Sequence, residues 1–305
     1  MSLSPLERRD YLIGFAFVLL MVAAATLLGD YEIILPEIGA LTAGTWIYHN
    51  SSWIAQPFKI FLAPSGTAVI GFLVNQLGIT YAEKVYLTLI LILLLLSVLR
   101  STLAPSFATG LLPIIIDATH WSFIIAILVF TLTLTVGVLL QGHYRGKPAG
   151  QPLHVSHMLG FTLVASVWVA AVWLAGFPQM AGIPPVLVVF FEVSQLPDYP
   201  GKLAIRQIIA LAGAATLGVL IHTLLASWLL TTLLALPLVF VLLQLLHIKL
   251  PAAYAFPLLA LVLPANMFHT LPIAASLAAC FFLGTVFVFR KVLAHQHGLA
   301  SENNG

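Results

Sequence analysis

The sequence predicts an all-α polytopic membrane protein of about twelve transmembrane segments, arranged as two parallel six-span repeats with short second and fifth segments in each. Three observations carry this. Apolar residues fill 61% of the 305 positions and charged residues only 7%, with a mean hydropathy of +1.08. An ordinary soluble domain is roughly 25% charged, so too few charges remain here to cover a soluble surface. Apolar runs recur along the whole chain, separated by polar or Pro/Gly punctuation. The Lys and Arg residues fall almost entirely into alternate gaps between those runs. A soluble enzyme, a disordered chain and a secreted disulfide scaffold are excluded, and the bilayer is the remaining solvent.

The runs can be taken in order. Arg8 and Arg9 precede an apolar stretch over 11–28, which superficially resembles a signal peptide. The stretch is long enough to span and no small-x-small cleavage site follows it, so it reads as the first span. The next five runs lie near 33–48, 58–78, 82–99, 102–116 and 121–141. A polar linker over 142–156 (GHYRGKPAGQPLHVS from 142) divides the chain. The second six runs lie near 157–175, 182–194, 203–224, 227–246, 251–263 and 270–289, leaving 292–305 as a flexible cytoplasmic tail. The stretch 203–246 would be about 66 Å long as one helix, so it folds back, and Ala226-Ser227 is the expected turn. The domain division is therefore 1–141, a linker at 142–156, and 157–291.

Four runs are too short to be ordinary spans: 33–48, 102–116, 182–194 and 251–263. Lys and Arg favour the cytoplasmic side. If all twelve runs cross, with the N-terminus inside, eleven of the twelve cations lie inside and only Lys84 lies outside. If the four short runs are re-entrant, the split falls to 7 and 5. The distribution favours twelve crossings of the cell (cytoplasmic) membrane, with both termini cytoplasmic.

The halves resemble one another. Residues 59–71 (KIFLAPSGTAVIG) align with 206–218 (RQIIALAGAATLG), which pairs Lys59 with Arg206, Gly66 with Gly213 and Gly71 with Gly218. Residues 103–112 (LAPSFATGLL) align with 249–258 (KLPAAYAFPL), pairing Pro105 with Pro251. The short runs also occupy matching places. Paired short or Pro-interrupted segments point to a transporter's binding site. Pro36, Pro105, Pro113, Pro184, Pro185, Pro251 and Pro257 lie in these segments, where each either starts a helix or frees a backbone carbonyl. The glycines read as close helix contacts.

Lys59 and Arg206 each open the third span of a half, where the helix N-terminus already favours anions, so they are the first substrate-binding candidates. The competing reading is that they snorkel to headgroups. Glu37, Glu192 and Pro105 lie in short runs, Gln56 sits at a span end, and Gln207 lies four residues into an apolar run; all five join the candidate set. Asp117, His120, His222 and His269 fall near outer span ends and form a candidate proton relay. His154 and His157 form an H-x-x-H with His143 nearby, but no carboxylate or cysteine accompanies them, and we read a solvated loop. Cys280 is a lone thiol inside an apolar run. No hydrolase triad, P-loop or dinucleotide fingerprint is present, so neither an enzyme nor an ATP-driven pump is expected, and no metal or cofactor. No basic tract suggests nucleic acid; the partners to consider are the lipid bilayer, a small solute and a second copy of the chain.

Several stretches resemble the HPP family of integral membrane proteins: 36–43 (PEIGALTA), Ala55-Gln56-Pro57, the Gly-containing third span, 105–112 (PSFATGLL) and Trp121-Ser122-Phe123. The likeness runs over about 33–141, with the second half a divergent copy. Leu103-Ala104-Pro105 stands where the family has His-Pro-Pro, and Phe58 follows Ala-Gln-Pro where the family has a basic residue. Some members are reported as nitrite transporters, so the resemblance implies a permease or secondary transporter for a small anion, with its site between the repeats. The polar break after the second span also looks like the membrane half of fusaric-acid-resistance exporters, which would imply efflux of aromatic or organic acids. A non-transporting assembly or regulatory subunit is the rival class. It predicts that the short segments pack shut.

Overall fold

The computed structural model describes residues 4–147 and 155–302, and every regular element in them is helical. We number the principal helices α1 (Pro5–Leu28), α2 (Pro36–Thr42), α3 (Pro57–Asn75), α4 (Tyr81–Val98), α5 (Ser106–Ile115), α6 (Trp121–Gln141), α7 (Val155–Leu174), α8 (Pro184–Ser194), α9 (Gly201–Leu225), α10 (Trp228–Leu246), α11 (Ala255–Val262) and α12 (Leu271–Glu302). Helix α2 continues as a wide π turn over Ala43–Ile47, and a 3-10 turn over Pro251–Tyr254 leads into α11. Eight helices are long and apolar enough to cross a membrane: α1, α3, α4, α6, α7, α9, α10 and α12. The chain is therefore a helical membrane protein.

Local chemistry sets the boundaries. Helix α1 starts six residues before the apolar run because Ser4 and Glu7 form a reciprocal capping box with Pro5 at the first position. Thr80 and Glu83 do the same for α4. Gly29 closes α1 in the left-handed region, which glycine enters at no steric cost. Ala226, at φ 49, ends α9, and Ser227 caps α10, so the expected turn at Ala226-Ser227 is present. Helix α12 runs on to Glu302, so residues 292–302, expected as a flexible tail, are helical. Of the 142–156 linker, only 142–147 and 155–156 fall within the described residues.

The four short helices form the centre. Every residue of α2 with its π turn, of α5, and of the 251–262 stretch is buried, as is all of α8 except Glu192 and Ser194. A helix apolar all round can only be stable when it is surrounded. Twelve residues rise about 18 Å, short of a bilayer core of about 30 Å. The deficit falls inside the protein, where protein groups satisfy the flanking backbone. The long helices form the outer ring and expose leucine, valine and phenylalanine outward.

Helix contacts recur in the two halves. Helix α3 packs on α4, α5 and α6; α9 packs on α10, α11 and α12. Across the halves, α2 packs on α11 and α8 on α5, while α1 packs on α10 and α7 on α4. A Cβ on Gly66 would lie 2.8 Å from Leu95, and one on Gly213 would lie 2.9 Å from Leu242, with both residues shifted by 147 positions. A Cβ on Gly71 would overlap the Gly110 carbonyl oxygen, and one on Gly218 would lie 2.7 Å from the Pro257 backbone. Arg100 and His247, also 147 apart, both adopt positive φ after the third long helix of their half.

Side-chain contacts identify the two ends of the bundle. At one end Tyr11, Tyr48 and Tyr254 link hydroxyls, with Lys249 over the Tyr48 ring at 5.7 Å and Asp10 3.9 Å from His49. We call this the basic end. At the far end Glu32 meets Thr119 and His120, and Asn75 meets Asp117. Helix α2 starts next to Glu32 and its π turn finishes at Tyr48, so this short segment connects the two ends.

Candidate functional site

The basic ends of α3, α5 and α8 meet around Trp53. This residue lies on a single helical turn, Ser51–Ile54, which Asn50 caps by accepting from the Ser52 amide. The Trp53 ring lies against Gly44 of the π turn, where any side chain would overlap it. Its indole faces Glu192 near the end of α8, so this turn of the first half meets the second half. Next to it, Gln56, Lys59, Arg100 and Ser101 line a small polar crevice. Lys59 donates to the Arg100 carbonyl, a group that α4 leaves unpaired as it ends. Three of the sequence-predicted residues, Gln56, Lys59 and Glu192, are therefore gathered around one indole. Pro105 is the buried cap residue that opens α5 just behind them.

The other candidates lie elsewhere. Arg206 is half-buried, one turn into α9, and makes no hydrogen bond or ion pair among the described residues. It does not line the Lys59 crevice, so the two cations are not brought to one site here. Gln207 accepts a 2.6 Å bond from the buried Tyr199 hydroxyl. Glu37 is fully buried in the first turn of α2, and both its carboxylate oxygens lack a hydrogen-bond partner.

The four relay candidates divide into separate groups at the far end. Asp117 accepts from Asn75, whose carbonyl groups take the Lys84 ammonium. His120 pairs with Glu32 at 3.1 Å. His222 lies 3.2 Å from the Thr231 hydroxyl and edge-on to Phe268, which also touches His269.

Sequence reasoning missed the tyrosine triad and Glu32. The Tyr11 hydroxyl donates to Tyr48 at 3.4 Å, and Tyr48 and Tyr254 share a 3.2 Å bond. His49 sits beside this triad with its ring 4.2 Å from His143. Burial, reinforced by the His143 ring, holds the His49 imidazole below its ordinary range, against the pull of Asp10. His154 lies outside the described residues; among those described, no three His, Cys, Asp or Glu side chains group to hold a metal.

A hydroxyl ladder runs through the first half. Thr67 and Thr109 share a 2.6 Å bond between α3 and α5, and Ser65 reaches Thr131 of α6 at 3.4 Å. The buried hydroxyls of Ser106 and Thr88 have no partner. At 147 positions further on, Ser65, Thr67 and Thr131 are replaced by Ala212, Ala214 and Ala278. No family model, curated protein or solved structure matches the chain.

Proposed function

We propose that the protein is a secondary transporter or permease for a small anionic solute, built from twelve crossing segments as two parallel six-segment repeats. The contacts shared at a 147-residue shift support the duplication, and the passage of α2 from one end of the bundle to the other supports crossing by the short helices. Six segments per half is even, which sets the repeat axis along the membrane normal. The cation count then sets the basic end in the cytoplasm.

The observation that carries the anion reading is the crevice of Gln56 and Lys59 at the start of α3, lined also by Trp53 and Arg100. A helix N-terminus, an ammonium and an amide together bind an anion through charge and hydrogen bonds. The paired hydroxyls of Thr67 and Thr109 and of Ser65 and Thr131 make the interior of the first half more polar than the second. Glu192 beside the crevice opposes an anion when ionised and tolerates it when protonated, so uptake should rise on acidification.

The test is flux into proteoliposomes of nitrite, nitrate, formate and small organic acids, with and without a pH gradient. One anion should show saturable flux that falls at least tenfold in the double variant Lys59→Ala/Arg206→Ala, with helicity retained. Equal flux in that variant, or no flux of any anion from folded protein, would overturn the reading.

A further inference from the structure

The second half carries an open groove on its outer side, and the helix that borders it lacks a cover that the first half has. In the first half, the Trp46 ring lies across Gly137 of α6, where a Cβ would overlap it. Its indole donates to the Leu134 carbonyl at 3.1 Å, and Phe17 lies 4.8 Å from the ring and 5.6 Å from Phe130. The glycine 147 positions later is Gly284 of α12, and a Cβ there would meet nothing within 4 Å. At the same shift of 147 positions, Val193 of α8 stands where Trp46 stands. An indole is therefore replaced by an isopropyl group, and no ring covers Gly284.

Next to Gly284, from Thr285 onward, a groove of about 400 Å³ lies between α7, α8 and α12. Phe161, Phe190 and Phe289 form its apolar length, and His157, Ser194 and Arg290 close it at the basic end. Leu163 and Phe289 are 66% and 58% exposed, so one side opens towards the acyl chains around the ring of long helices. Arg290 uses one terminal nitrogen on the Ser194 carbonyl at 2.9 Å, while its buried Nε has no partner. Lys291 follows, exposed. A guanidinium with donors to spare suits phosphate geometry, and an apolar trough leading away from it into the bilayer suits an acyl chain.

The geometry points to a bound anionic phospholipid, its phosphate at Arg290 and one acyl chain along Phe161, Phe190 and Phe289. The site is independent of the solute pathway at Lys59. It assigns the surplus arginine donor and the apolar groove to one function.

The test uses the full-length protein in mild detergent, with phosphatidylglycerol and phosphatidylcholine as probes and native mass spectrometry as the readout. Phosphatidylglycerol should be retained at least fivefold over phosphatidylcholine. Gly160→Leu fills the groove from α7, where a Cβ meets nothing within 4 Å, and should cut retention at least fivefold with the thermal midpoint unchanged. Arg290→Gln should erase the preference between headgroups, and Arg290→Lys should restore part of it. Equal retention of the two lipids by the unaltered protein, or undiminished phosphatidylglycerol retention by folded Gly160→Leu, would overturn the assignment. If Arg290→Gln fails to fold, the Gly160→Leu result decides alone.

Discussion

Glu32 is a heavily used carboxylate with no exposure to solvent. It accepts the Thr119 and His120 amides at 3.0 Å each, and meets the His120 imidazole at 3.1 Å. Those amides lie at the start of α6, where the helix itself supplies no acceptors. Leaving a buried donor unpaired costs about 1–3 kcal/mol. Glu32→Ala should therefore lower the thermal midpoint in detergent clearly, and Glu32→Gln, which keeps one acceptor, should lower it less. Tryptophan fluorescence against temperature reads both, and an unshifted midpoint in Glu32→Ala would refute the role. Nothing in the sequence marks Glu32: it sits in a polar DYE stretch, 87 positions from its partners, and no spacing rule links them. The tyrosine triad escapes sequence reading for the same reason, since Tyr48 and Tyr254 are 206 positions apart. Lys59 and Gln56 were legible because helix starts and short-range motifs are local, whereas Glu37 was legible as an ionisable group in an apolar run but not as one without partners.

At the scale of helices, closeness between α3 and α5 sets the thickness of the first half. Gly71 lies so near the Gly110 carbonyl that any side chain must push backbone aside. Gly66 faces only the flexible end of Leu95 at 2.8 Å, and Gly78 faces open space. Overpacking typically costs 1–3 kcal/mol, and more where backbone must move. Gly71→Ala should thus destabilise by about 3 kcal/mol or prevent folding, Gly66→Ala should cost about 1 kcal/mol, and Gly78→Ala should be neutral. Denaturation in mixed detergent would rank them, and a harmless Gly71→Ala would show that the helices are not in contact there. The twelve runs and the Ala226-Ser227 turn were readable because apolar length and a lone small polar break are local signals. Helix ends were less so: Pro5 starts α1 through a capping box, and helical periodicity carries α12 past its apolar part. That the four short helices stack together at the centre is a tertiary fact. Their uniform apolarity says only that they are surrounded.

For the whole molecule, charge and topology must agree. Eleven of twelve cations fall at the basic end if every segment crosses, and each Lys or Arg near an anionic leaflet gains about 1 kcal/mol. Turning the bundle over, or folding the short segments back on one side, forfeits much of that attraction. Single-cysteine labelling separates the arrangements once Cys280→Ser has removed the native thiol. Gly78, Ser51 and Lys147 are all exposed, in the gaps after α3, after the π turn and after α6. With twelve crossings, Gly78→Cys reacts with an impermeant maleimide in intact cells. Ser51→Cys and Lys147→Cys then react only after the membrane is opened. Re-entrant short segments exchange the first two results and leave the third unchanged, because Ser51 would move outside and Gly78 inside while Lys147 stays cytoplasmic. An inverted bundle reverses all three, so a single experiment on three positions decides both the number of crossings and the orientation that brings the Lys59 crevice to the cytoplasm.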